Sequence, residues 1–161
     1  MSASIIQAQR ALKVLPSDNA EIPFPAIAQA GVNTSVVATQ LVDSAATFVT
    51  NSVRTGDIVY NTTDGTAATV VSVTNQTTLV LNADIFLATT KSYVVYQASA
   101  QTTIGNQGCV LYIGGPGNVT MTTNGNDTVT LVGLNGGQFV PVQCVKVFAT
   151  GTTATNIIAL W

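Results

Sequence analysis

Histidine is absent from this chain of 161 residues, and charge is scarce. Five Lys and Arg stand against seven Asp and Glu, 7% of the residues together, where soluble domains ordinarily carry about 25%. Without His there is no Ser–His or Cys–His pair, and the few carboxylates offer no acid/base couple. An enzyme is not expected. The cations Arg10, Lys13, Arg54, Lys91 and Lys146 are scattered, so nothing can neutralise a run of phosphates and no nucleic-acid partner is expected. No apolar run approaches the roughly 18 residues that cross a bilayer, which argues against a membrane partner.

Cysteine is nearly missing too. Cys109 and Cys144 are the only two, too few for a disulfide framework. They are expected as free buried thiols, in strands that could be adjacent. With no His and no Asp-x-Asp-x-Asp-Gly loop, neither a metal site nor a cofactor is expected. Asp57, Asp64, Asp84 and Asp127 stand where turns are expected, which explains them without a cation. The opening MSASIIQAQRALKV lacks a charged n-region, an apolar h-region and a small-residue cleavage site. It therefore reads as the start of a protein made in a cytoplasm.

What the chain does have is Thr, Val and short alternation. Apolar residues make up 47%, and the two commonest types, Thr and Val, are β-branched, which favours strands. No segment sustains a 3.6-residue apolar period with caps, so the fold class is all-β. A surface poor in charge and rich in Thr, Ser and Asn suits a protein packed against copies of itself or other subunits. A secreted β-domain is the alternative.

Ala11–Leu15 reads as a strand ended by the turn Pro16-Ser17-Asp18-Asn19. In Ile22-Pro23-Phe24-Pro25 the prolines remove backbone donors, so that segment fits only a sheet edge or a crossover. Short strands follow at 35–43, 46–51, 56–61, 67–73, 78–81 and 92–97, with Asp64-Gly65 as a hairpin turn. A polar linker is expected at 100–108. Strands resume at 110–113, 118–123, 128–132, 139–148 and 156–160, between Gly- and Asn-rich turns. The predicted architecture is an antiparallel β-sandwich, jelly-roll-like, built from residues 1–28 and 108–161. It is interrupted by an inserted small β-barrel at 29–107, placed at a loop tip where insertion disturbs little.

Gly114-Gly115-Pro116-Gly117 is followed by the strand-like VTMTT rather than a helix start, so it reads as a turn and not a phosphate cradle. Five Asn-x-Ser/Thr sequons, at Asn33, Asn61, Asn75, Asn118 and Asn126, are what so much Asn and Thr yields by composition.

Two blocks resemble a known family. Residues 10–18 (RALKVLPSD) and the later IPFP form the first. The second comprises Cys109, Leu111-Tyr112, Gly114-Gly115, Gly117-Asn118-Val119, Gly125, Asp127–Leu131, Pro141-Val142 and ATGTTAT running on to the ALW ending. Together they resemble tailed-phage and gene-transfer-agent virion proteins of the head spike-base or capsid decoration type. In that family the opening block leads almost at once to the Cys strand, whereas here residues 29–107 intervene. The insert resembles small barrels of other virion proteins. The resemblance implies a structural protein on the outside of a phage head, acting by symmetric assembly. Its partners would be copies of itself, the major capsid protein or another virion protein, and a fibre. The assembly residues expected are Ile22, Pro23, Phe24 and Pro25, with an N-terminal arm reaching a neighbour and the insert as an outward contact. A tail or baseplate component that attaches a fibre is the alternative. A carbohydrate-binding module would need platforms from Tyr60, Tyr93, Tyr96, Tyr112 or Trp161.

Overall fold

The computed structural model describes residues 8–98 and 108–161. Within them the chain is all-β, with two six-stranded antiparallel sheets, one of them curled into a half-barrel.

The first sheet joins β1 (Ala11–Lys13) to β8 (Cys109–Gly115), β9 (Gly117–Thr123), β10 (Thr128–Leu134), β11 (Gln138–Val147) and β12 (Thr155–Leu160), in the order β1-β12-β8-β11-β9-β10. Side chains alternate across a strand, and β8 accordingly sends Cys109, Leu111 and Ile113 into the core. The ten-residue β11 changes partner along its length. Residues 138–140 pair with β8, the register slips between Val140 and Cys144, Cys144 pairs with both Cys109 of β8 and Thr123 of β9, and Lys146 and Val147 pair with β9. A bulge bends its strand, so the two halves of the sheet bury one core, where Leu111, Ile113, Val119, Met121 and Ala159 are fully enclosed.

The second sheet holds β2 (Ile27–Val32), β3 (Gln40–Val42), β4 (Ile58–Asn61), β5 (Thr66–Asn75), β6 (Thr78–Leu81) and β7 (Ser92–Tyr96), in the order β2-β7-β4-β5-β6-β3. Two register slips in β5, after Val70 and after Val73, curl it. The chain leaving β2 then reaches the far edge, where the Thr34 amide donates to the Val42 carbonyl at 2.8 Å and Ser35 bridges to Val42. Leu41, Phe48, Val59, Leu79, Phe86, Tyr93 and Val95 fill the concave side. There the Tyr93 hydroxyl donates to Asp43 Oδ2 at 2.6 Å. Burial, then the adjoining Asp43, pushes the Tyr93 pKa upward, so it stays a neutral donor.

The two sheets meet through the N-terminal segment. All four residues of β4 are buried: Val59 faces the half-barrel core, and Ile58 and Tyr60 face a third cluster with Ala67, Tyr96, Ala20, Leu12 and Leu15. Tyr60 and Tyr96 meet there edge to face, centroids 5.2 Å apart.

The local expectations fared unevenly. The strand at 11–15 is three residues long; the Val14 amide still donates to the Ile157 carbonyl at 2.9 Å, and the side chains of Val14 and Leu15 enter two different cores. The strand expected at 46–51 is a series of turns, stitched by Phe48 N–H to Gln76 O and Val53 N–H to Phe48 O, which plug Phe48 into the half-barrel. The span expected at 35–43 yields only β3 and the bridge at Ser35. β2 was not anticipated, and the boundary proposed between 28 and 29 falls inside it. Most of the linker expected at 100–108, and the first seven residues of the expected arm, lie outside the described residues.

Candidate interaction surface

The Pro-flanked segment runs as a crossover from β1 to β2 without joining a sheet edge. Ile22 is buried in the first core and its amide donates to the Val145 carbonyl at 2.8 Å. Pro23 is buried as well, while Phe24 and Pro25 are half-buried. Phe24 sits edge-on to Trp161, centroids 5.7 Å apart, with the Arg10 guanidinium 5.3 Å above its ring and donating to the Pro25 carbonyl at 3.3 Å. Of the four residues expected to make contacts, two therefore anchor the crossover. The other two join Arg10 and Trp161 in a surface cluster of the residue types that dominate binding energies.

The preceding turn is a hub. Ser17 donates its amide to Val147 O at 2.9 Å and its hydroxyl to Ala67 O at 2.8 Å, so it touches both sheets. The Asn19 carbonyl accepts from Thr69 Oγ1 at 3.0 Å and from Asn82 Nδ2 at 2.6 Å. Asp18 accepts from the Thr150 hydroxyl at 2.7 Å and the Thr150 amide at 3.1 Å, and Lys146 Nζ donates to its carbonyl at 2.7 Å. Sequence reasoning took this stretch for a turn cap, because no local pattern betrays partners in four distant strands and turns.

Those bonds from Thr150, the hydroxyl first, hold the Asp18 carboxyl below its ordinary value of 3.8. A lowered acid contributes fully above its unfolded pKa and loses that contribution as pH falls through the folded one. Asp18→Ala should therefore melt below wild type at neutral pH, and the gap should close in strong acid. Thermal melts at both pH values check this; a gap that persists unchanged in acid would refute it. Asp64 behaves alike, held low by Lys91, which lies 2.8 Å away, and by Asn61.

The cysteines are register partners on β8 and β11, both free and buried. Contact with Cys144, and then burial, pushes the Cys109 thiol upward, which leaves it unsuited to nucleophilic work. Among the described residues no group of three His, Cys, Asp or Glu is placed to hold a metal ion, and no helix is long and apolar enough to cross a membrane. Asp57 and Asp64 serve as turn acceptors, for the Arg54 amide and for the Asn61 side-chain amide. Of the sequon residues, Asn33 and Asn61 are buried and hold loop backbone in place.

The carbohydrate platforms fare poorly. Tyr60, Tyr93 and Tyr96 are buried, which leaves Tyr112, its ring tilted against Phe139 with centroids 5.2 Å apart, and Trp161. Tyr112 and Phe139 belong to a surface the sequence did not single out, the side of β8 turned away from the core. Phe139 forms one wall of a groove of about 330 Å³ otherwise lined by Ala8, Val110, Val140, Pro141 and Leu160. What these arrangements offer chemically is contact: apolar and aromatic surface, hydrogen-bonded crossovers and few charges. Comparison with protein-family models, curated proteins and solved structures found no match to this chain.

Proposed function

We propose that this chain is a virion structural protein of the capsid decoration or head spike-base type, acting by symmetric assembly on the outside of a tailed-phage head. Its partners are copies of itself and the shell. The observation that carries the reading is the meeting of the two blocks that resemble that family. Asp18 of the opening PSD turn and Thr150 of the ATGTTAT block are 132 positions apart yet bonded through backbone and side chain. A turn bridging the two blocks supports treating them as one inherited unit. The scarcity of charge adds to this, since closed symmetry lets an uncharged surface be buried repeatedly by copies of itself.

In this reading β1 and β8–β12, with the crossover through Phe24, make a split jelly-roll-like sandwich, and β2–β7 are a small barrel set into it and turned outward. Particles assembled with the chain present should carry ordered density for it on the head surface, at a local symmetry axis, in cryo-EM reconstructions. Density confined to the tail, or absent from every particle, would overturn the reading.

A further inference from the structure

We infer that the outer face of β12, β8 and β11 is the surface on which a second copy of this chain docks, two-fold and face to face. The register defines that face. Val110 lies opposite Leu160, and Tyr112 lies between Ile158 on one side and Phe139 on the other. Their neighbours Leu111, Val140, Ile157 and Ala159 point the other way, into the core. β8 is an interior strand, and an antiparallel sheet with one wet face should carry polar side chains on it. It carries Val110 and Tyr112 instead, and Phe139 beside them is 60% exposed. An apolar face of this kind marks a contact surface.

Three features single out a second copy as the occupant. The face holds both a projection, Phe139, and the groove of about 330 Å³ of which it forms one wall, so one patch supplies knob and hole. A two-fold axis brings each to the other.

Charge fits as well. No Asp or Glu occurs in β1, β8, β11 or β12; their cations are Lys13 at the rim and Lys146, whose Nζ is already engaged by the Asp18 carbonyl at 2.7 Å. An ordinary surface with about 25% charged residues would bury unpaired charges against this face. A chain with 7% charged residues would not.

The area is sufficient too. Three strands about 4.8 Å apart over roughly five residues of about 3.4 Å each, extended by the short β1, whose Ala11 and Lys13 lie opposite Leu160 and Ile158 on the same face, give a footprint of about 290 Å². Side chains standing off the sheet raise this to about 500–600 Å² of accessible surface per copy. The total is about 1,000–1,200 Å², where stable interfaces begin.

The inference stands on the sheet face and not on the head-decoration reading, so the two can fail separately. The full chain, analysed by sedimentation equilibrium across a dilution series, should be a dimer. Phe139→Glu should weaken that dimer by about 30-fold or more, as loss of a central aromatic anchor does. Phe139 is exposed, so an unchanged circular dichroism spectrum and melting temperature for the diluted protein would establish that the variant is folded. Val132→Glu, at a 76% exposed position on β10, should leave the dimer intact. A wild type that stays monomeric overturns the inference, as does a dimer that Phe139→Glu leaves alone or that Val132→Glu breaks equally. A monomer that binds phage heads through Phe139 would also overturn it, giving the face to a shell protein while leaving the decoration reading intact.

Discussion

Removing the residues before Ala26 should unfold the first sheet, although every strand from β8 to β12 keeps its own sequence. The deletion takes away β1, the edge partner of β12. It takes Val14 and Ile22 out of the first core, and Leu12, Leu15 and Ala20 out of the cluster between the sheets. Burying each large aliphatic side chain contributes about 1.5–3 kcal/mol. Val14 and Ile22, both buried, sum to about 3–6 kcal/mol, and the half-buried Leu12 and Leu15 add about half as much again, together comparable to the whole stability of an ordinary domain. The hub bonds of Ser17, Asp18 and Asn19 disappear with them. Hydrogen exchange should show protection lost across β8–β12. The half-barrel core contains no residue before Ala28, so β3–β7 should lose less. A truncated chain that melts where the full chain melts would refute the account.

Gly117→Ala, at the first position of β9, should be strongly destabilising. Gly117 has φ 153°, and a Cβ there would lie 2.6 Å from the Thr153 carbonyl carbon and 2.8 Å from Ala154 Cα. Both are backbone atoms, held in place because the Thr153 and Ala154 amides donate to Asn118 O at 2.9 and 3.1 Å. No side chain can swing aside, so the start of β9 and the loop leading into β12 must separate, at a cost of about 3 kcal/mol or more. Gly133 makes the control. Its φ is 70° with open space around the Cβ position, so Gly133→Ala carries only the left-handed strain of about 1–2 kcal/mol, offset in part by the stiffer unfolded chain. At about 2–4 °C per kcal/mol for a chain of this size, the melting temperature should fall by roughly 6–12 °C in the first variant and by about 4 °C or less in the second. Equal losses would mean that backbone conformation, not the close approach, fixes Gly117.

The GGPG stretch illustrates what a local pattern can and cannot reveal. Its glycines and the alternation of Val119 and Met121 led to an expected turn before a strand, but Gly114 and Gly115 belong to β8 and Gly117 to β9, with only Pro116 between them, and the two strands are not sheet neighbours. That Gly117 is needed because a distant loop lies against it was not legible, since Thr153 and Ala154 enter only through the fold. The same divide runs through the candidate surface. Ile22–Pro25 was readable as a crossover, because proline's missing donor forbids a ladder wherever the chain goes. Which of the four side chains would face outward was not readable. Ile22 and Pro23 point inward because the crossover passes over the end of β11, where Ile22 bonds Val145.

By itself the sequence determined the all-β class, the hairpin turns, the identity of most strands in the C-terminal third and the absence of His-based chemistry. These follow from period-two alternation, β-branching and composition, which act within a few residues. Only the tertiary structure decided the strand order β1-β12-β8-β11-β9-β10, the partner switch along β11, the turn plug at Phe48 and the hub at Ser17–Asn19. It alone separated the two sides of β8, whose run Cys-Val-Leu-Tyr-Ile is apolar at every position. Alternation cannot tell core from contact surface when both faces are apolar; that distinction arises only once the chain has closed over one of them.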